Sequence, residues 1–279
     1  MKKRNWVCLL LIILCLIVFL HYKTTTQLRA DTTPPEITIS ATNPEFSVQD
    51  SKAALLEHVS AADARDGDVT DSLVVESVKL VDSDGTIEIT YAAFDAAGNV
   101  AKQAQTARLT DYRQPEFLLN APLAFPLNSG YDILDIVQAR DAVDGDISHR
   151  IRATSLDKTS VTTAGIHEVE FRVSNSLGDT VKLVLPVEVF PSNLYNAALT
   201  LTDYLIYLPQ DASFDARDYL STFTYGSETI SLSNGIPENY SLKLAGTVRT
   251  AVPGVYSVTY TLTSGTRTGY SRLIVVVEG

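Results

Sequence analysis

Cysteine is almost absent from this sequence. The 279-residue chain has two, Cys8 and Cys15, both inside one apolar run near its start. From residue 31 onward there is none, so no disulfide can brace that part, and its stability must come from core burial. Tryptophan is as scarce. Trp6 is the only one, so the remainder lacks the usual sugar-stacking platform. Positive charge is thin as well. The chain has 22 Lys plus Arg against 33 Asp plus Glu, a net charge of -11, and Lys2, Lys3, Arg4, Lys23 and Arg29 all precede Asp31, the first acid. The body beyond is therefore more acidic than the total implies. Such a body repels phosphate backbones, and nucleic acid is not an expected partner. Only one segment is apolar enough to enter a bilayer, which argues against a pore or a multi-span transporter. Neither a Gly-x-Ser-x-Gly elbow nor a phosphate-binding glycine loop occurs, and no serine stands out as a nucleophile. Chance pairs of acids could in principle cleave a glycosidic bond, but the repeats described below carry no insertion to house such a site. No enzyme activity, catalytic residue or cofactor is expected.

What is present begins with a targeting segment. Lys2-Lys3-Arg4 is a basic start, Trp6 to Leu20 runs fifteen residues without a charge, and His21, Tyr22 and Lys23 close the run. This pattern suits a cleaved signal peptide or an uncleaved signal anchor. The best cleavage candidate, Leu28-Arg29-Ala30, has Leu where a small residue is wanted and lies far from the run. The residue before Cys15 is Leu14, which argues against a lipoprotein signal. The uncleaved anchor is preferred, with its basic side in the cytoplasm and residues from about 31 onward outside the cell membrane. The run is short, because a typical hydrocarbon core takes about 20 apolar residues. Val275 to Gly279 form no apolar tail with a basic stop, so attachment is expected to rest on the N-terminal segment.

The part beyond residue 30 is a repeat array. Pro35-Glu36-Ile37 recurs as Pro115-Glu116-Phe117, an offset of 80. The block Val59 to Thr70, with Asp63, Asp66, Gly67 and Asp68, recurs as Val137 to Ser148, with Asp141, Asp144, Gly145 and Asp146, an offset of 78. The strand Gly85 to Ala93 recurs as Gly165 to Val173, and the turn Asp95 to Asn99 as Asn175 to Asp179, both at 80. A third, divergent copy shows Gly254 to Leu262 at an offset of 89 from Gly165 and lacks the Asp-Gly-Asp block. The expected organisation is a basic end and anchor over 1–30, then units over 31–111, 112–191 and 192–279.

Within the units the period is two. Ile87, Ile89, Tyr91 and Ala93 share one face while Glu88 and Thr90 point away. Val169, Phe171 and Val173 do the same against Glu168, Glu170 and Arg172, as do Tyr256, Val258, Tyr260 and Leu262 against Ser257, Thr259 and Thr261. This marks half-buried antiparallel strands. Hairpin glycines follow them, and Pro34, Pro35 and Pro115 stand at unit starts, where no ladder donor is needed. The expected fold is all-β, a tandem of sandwiches behind one N-terminal hydrophobic helix. Tyr91, Phe171 and Tyr260 are expected at the same buried strand position in three successive sandwiches.

These residues resemble the bacterial Ig-like repeat first described in a pesticidal crystal protein, which is similar in style to hyalin-type and cadherin-like modules. The resemblance rests on Pro35-Glu36-Ile37, on Ala61-x-Asp63-x-x-Asp66-Gly67-Asp68-Val69-Thr70, on Gly85 to Ala93 and on Phe94-Asp95-x-x-Gly98-Asn99. The second unit matches but has Asn175 and Asp179 where the family favours Asp and Asn. The third matches only in its last strands. The resemblance implies an extracellular Ig-like sandwich and names no ligand, because such modules serve as spacers, adhesins and accessory domains.

The acidic blocks draw the eye to metal chemistry. Asp63, Asp66 and Asp68, and again Asp141, Asp144 and Asp146, place three carboxylates within six residues, and calcium favours clustered oxygen donors. The spacing is not that of an EF-hand loop. The preferred reading is a structural turn, in which Asp side chains accept local N–H groups and Gly67 and Gly145 take positive φ, with no metal. Calcium is the alternative. His58, His149 and His167 are too dispersed for zinc, and His167 is expected to be packed in a strand. Nine of thirteen tyrosines lie in 192–279, namely Tyr195, Tyr204, Tyr207, Tyr219, Tyr225, Tyr240, Tyr256, Tyr260 and Tyr270. Tyr204, Tyr207, Tyr225 and Tyr240 are the least explained by strand packing and could line a binding face. The expected function is a membrane-anchored, non-catalytic bacterial surface protein for adhesion, binding or scaffolding, with a cell-surface protein or glycan as partner. The alternative is an accessory or lytic protein acting on cell-wall glycan.

Overall fold

The computed structural model describes residues 11–23, 31–130, 132–155 and 163–279. The basic start, the run from Trp6 to Leu10 and the segment 24–30 lie outside the described residues. The chain divides into two compact units, Met1–Asp111 and Tyr112–Gly279.

Residues 11–23 are helical. Leu11, Ile12, Leu16 and Phe19 are all more than half exposed, Phe19 at 60%. Among the described residues no helix is long and apolar enough to cross a membrane. The expected spanning helix is therefore not met by the described segment, which covers only the second part of the apolar run and is closed by His21, Tyr22 and Lys23. A bilayer core requires about 20 apolar residues.

The rest of the first unit is a β-sandwich. One sheet has three strands, Glu36–Ile39, Val59–Asp63 and Gly67–Asp68. The other has four, in the order Glu45–Phe46, Val100–Leu109, Thr86–Phe94, Val74–Leu80. The alternation in Thr86–Phe94 is realised in full. Ile87, Ile89, Tyr91 and Ala93 have no exposure, while Glu88 faces solvent. The Tyr91 hydroxyl donates to the Leu55 carbonyl at 3.0 Å, in the 3-10 turn Ala54–Leu56.

The second unit begins with the same plan. Glu116–Leu119, Val137–Asp141 and Gly145–Asp146 form the small sheet. Arg152–Ser155, Gly165–Ser174, Thr180–Phe190 and Ala124–Pro126 form the larger one. Phe171 is fully buried, its ring edge-on to Phe117 with centroids 6.4 Å apart. The third repeat departs from this plan, since its strands join in one seven-stranded sheet. Ala197–Leu201 links the two halves, antiparallel to Leu220–Tyr225 and parallel to Arg267–Val277 through Ala197↔Gly269 and Ala198↔Tyr270. Leu199, Leu201, Leu220 and Phe223 share one core with Val258, Tyr260, Leu262 and Leu273, so the sheet closes over itself in two layers. Tyr260 is fully buried, and its hydroxyl donates to the Ala216 carbonyl in the 3-10 turn Ala216–Tyr219. Tyr91, Phe171 and Tyr260 thus occupy equivalent buried positions.

The architecture is all-β, a tandem of Ig-like sandwiches following one hydrophobic helix. One feature recurs in each repeat that period two did not reveal. A short strand runs parallel to the last strand of its repeat: Glu45–Phe46 on Val100–Leu109, Ala124–Pro126 on Thr180–Phe190, and Leu205–Leu208 on Arg267–Val277. Strands this short carry too little alternation to be read from sequence.

The second and third repeats lie in one compact unit because their cores join. Leu205 and Ile274, from the third repeat, are buried within the cluster built on Phe117, Phe171 and Leu185, and Tyr207 and Val276 pack against it.

Candidate functional site

In the first sandwich, strand Val59–Asp63 ends in an acidic turn. Asp63 Oδ1 accepts the N–H groups of Arg65 and Asp66, at 2.7 and 2.9 Å. Gly67 then takes φ 77°, which a side chain would strain, and Asp68 Oδ1 accepts the Thr70 N–H. Val137–Asp141 ends the same way, with Asp141 Oδ1 accepting from Val143 and Asp144, Gly145 at φ 72°, and Asp146 accepting from Ser148. The local geometry is the Asx-type turn expected from the sequence. Hydrogen bonds from Thr70 hold the exposed Asp68 carboxyl below the usual carboxylate range, and those from Ser148 do the same for Asp146.

The two turns differ in what surrounds them. In the first sandwich Asp63 and Asp66 are joined by Asp31 and Asp95, and one oxygen of each of the four lies within 4.8 Å of every other. Asp68, which the sequence grouped with Asp63 and Asp66, is outside this group. Asp31 stands at the start of the sandwich, half-buried. Asp95 opens the hairpin after Thr86–Phe94 and is buried, as is Asp63. Asn99 fixes the arrangement. Its N–H and Nδ2 donate to the two oxygens of Asp95, at 2.7 and 2.6 Å, and Nδ2 also reaches the Asp31 carbonyl at 3.2 Å. Desolvation works to raise the Asp95 carboxyl, but hydrogen bonds from Asn99 and from the Gly98 and Ala97 N–H groups together outweigh it and hold the group below the usual carboxylate range. Asp66 Oδ2 accepts the Ala96 N–H at 2.8 Å.

In the second repeat Asn175 replaces Asp95, and its Nδ2 donates to Asp141 Oδ2 at 3.1 Å and to the Tyr112 hydroxyl at 3.1 Å. The Tyr112 hydroxyl in turn donates to Asp179, the residue at the Asn99 position. Arg150 pairs with Asp144 at 2.5 Å, where the first repeat has Ser72. Asp111, eighty residues after Asp31, accepts instead from Ser47 and Val48 in the first unit. The second turn therefore carries its own donors and cation. The signal for this difference was the Asp95-to-Asn175 change, visible in the sequence; the part played by Asp31 was not.

The histidines form no group. His58 and His149 are exposed, and His167 is buried in its strand with Nε2 2.8 Å from the Thr163 carbonyl.

Tyr204, Tyr207, Tyr225 and Tyr240, which strand packing explained least, are not gathered on one face. Tyr204 and Tyr240 pack against the third core, Tyr240 edge-on to Phe223. Tyr207 is committed to the second core, and burial pushes its hydroxyl up to about 12, against the opposing effect of the Phe117 N–H it accepts. Tyr225 lies nearer solvent, beneath the Arg267 guanidinium at 4.6 Å. Tyr204, Tyr207 and Tyr240 thus fill gaps between layers and repeats. Tyr195 and Tyr270 stack with centroids 4.7 Å apart, and the Tyr270 hydroxyl donates to Glu188, so burial first and that carboxylate second raise it well above its ordinary value. Arg272, 4% exposed, reaches Glu188 at 3.3 Å and Ser257 at 2.9 Å. The third repeat also has a groove of about 550 Å³ lined by residues that include Thr202, Arg217, Asp218, Ser233 and Ile236.

No protein-family model matches the chain. It is 32% identical over 163 residues to an uncharacterized 81.3 kDa protein of Acholeplasma phage L2; the match covers 57% of the chain, which spans 21% of that relative. Among solved structures it is similar to Drosophila N-cadherin EC1-3, at 15% identity and a TM-score of 0.28, over 89% of the chain and 90% of that one. It is also similar to a Clostridium perfringens ZmpB structure comprising CBM51-2 in complex with GlcNAc and INT domains, at 14% identity and a TM-score of 0.23, over 87% and 41%.

Proposed function

We propose that this protein is a non-catalytic binding or scaffolding array held outside a bacterial cell, with its third repeat as the contact surface. The observation that carries this is the pairing of an exposed apolar helix, residues 11–23, with sandwiches whose inner faces are packed with large apolar side chains. Water disfavours so continuous an apolar surface, and such surfaces mark membrane or partner contacts. With the inner faces closed, the sandwiches offer loops and edges to a partner. The groove beside Arg217 and Asp218 supplies charge and hydrogen-bonding groups for a protein or glycan.

The test is expression of the full chain in a Gram-positive host, with membranes separated from medium, followed by sedimentation of the purified chain with isolated cell wall. Retention at 30.4 kDa in the membrane, with wall or surface-protein binding and no release of soluble sugar, supports the reading. A product in the medium shortened at its start would replace the tether with secretion. Release of sugar would replace the scaffold with a lytic protein.

A further inference from the structure

The geometry points to a divalent-cation site, suited to calcium, at the loop end of the first sandwich, held by Asp31, Asp63, Asp66 and Asp95. Four carboxylates converge there, one oxygen of each within 4.8 Å of every other. Asp63 is only 6% exposed. Its Oδ1 is used by two backbone N–H groups, and its Oδ2 is buried with no hydrogen-bond partner among the described residues. Asp63 thus belongs to a group of four carboxylates and has a buried oxygen with no donor, a state that a bound cation relieves.

The second repeat is an internal control. At the same place Asp141 Oδ2 receives Asn175 Nδ2 at 3.1 Å, and Asp144 receives Arg150. Exchanging Asn175 for Asp95 removes the donor and adds a negative charge. Exchanging Arg150 for Ser72 removes the cation, and Ser72 is occupied with the Val69 carbonyl and the Phe94 N–H. Arg65 reaches Asp31 at 3.9 Å with more than half its side chain exposed.

The donor set selects the ion. All four ligands are hard carboxylates, with neither His nor Cys among them, which favours calcium or magnesium over zinc or copper. Oxygens bound to one calcium at about 2.3–2.6 Å stand at most about 5 Å apart, which accommodates the spread seen here. Asp66, exposed, leaves the ion a path from solvent. The ion would tie together three segments distant in sequence: the start of the sandwich at Asp31, the turn at Asp63 to Asp66, and the hairpin at Asp95.

The test uses the full chain in mild detergent, stripped with a chelator and titrated with calcium chloride by calorimetry. One calcium per chain is expected. Asp95→Asn should weaken binding at least tenfold, while Asp141→Asn should leave it unchanged. Asp95→Asn places in the first repeat the residue the second already has, so folding should survive. Asp66→Asn, whose amide oxygen can still accept the Ala96 N–H, is the second variant and should also weaken binding. Millimolar calcium should raise the first unit's melting temperature by several degrees in the native chain and not in Asp95→Asn. No binding at millimolar calcium, binding indifferent to Asp95→Asn and Asp66→Asn, or binding lost in Asp141→Asn would each overturn the assignment.

Discussion

The hydroxyl of Tyr207 accepts the backbone N–H of Phe117 at 3.1 Å, joining the parallel edge strand of the third repeat to the first strand of the second. Phe117 is fully buried, and its N–H takes this bond across two repeats. The contact belongs to a larger seam in which Leu205 and Ile274 enter the second core.

Tyr207→Phe keeps the ring and removes the acceptor. The Phe117 N–H is then left unpaired in a buried place, at a cost of about 1–3 kcal/mol. Denaturant unfolding should show the loss in the transition of residues 112–279, with that of the first unit unmoved.

Alkaline pH should weaken the same unit. An unfolded tyrosine titrates near pH 10, whereas burial holds Tyr207 at about 12. Between these values the unfolded chain has lost a proton that the native chain keeps. Stability is thus fully present below about pH 10 and falls as pH rises toward 12. Tyr270, raised by burial and Glu188, acts in the same direction. A stability profile against pH should decline across this window, and Tyr207→Phe should flatten it in part.

Glu188 is the acid paired with Arg272, a guanidinium that is 4% exposed. Glu188→Ala leaves that charge buried and uncompensated, and we expect a loss of about 3–5 kcal/mol. Replacing both residues, Glu188→Ala with Arg272→Met, should recover part of it. A double-mutant cycle on the unfolding free energy measures the coupling.

Gly246 has φ 108°, and a Cβ built on it would stand 2.1 Å from the Ser257 carbonyl oxygen. Backbone cannot yield as a side chain can. Gly246→Ala should therefore unfold the third repeat or cost more than the ~1 kcal/mol expected where glycine is only conformationally favoured. Gly265→Ala is the comparison, since at φ 60° its Cβ meets nothing within 4 Å. Melting temperatures of the two variants give the contrast.

What could be read from the sequence follows from where the information is local. The alternation around Tyr91, Phe171 and Tyr260 is a property of one strand, and it placed three buried residues correctly. The turns at Asp63 and Asp141 are also local, because side chain and N–H lie two or three residues apart. The parallel strands are two to four residues long and took their partners from the far end of each repeat. Nothing in Tyr207 alone said that it serves a neighbouring core. Asp31 and Asp95 meet only through the closed sandwich; the sequence recorded Asp95 against Asn175 as a departure from the repeat without the partner that gives it meaning.

The seam around Ile274 also bears on the order of events in biosynthesis. A ribosome releases residues 112–191 well before residue 274, so the second sandwich emerges with a gap in its interior that Leu205 and Ile274 later fill. Within residues 112–279 the second and third repeats should thus complete each other late, and until then exposed apolar surface is the chaperones' concern.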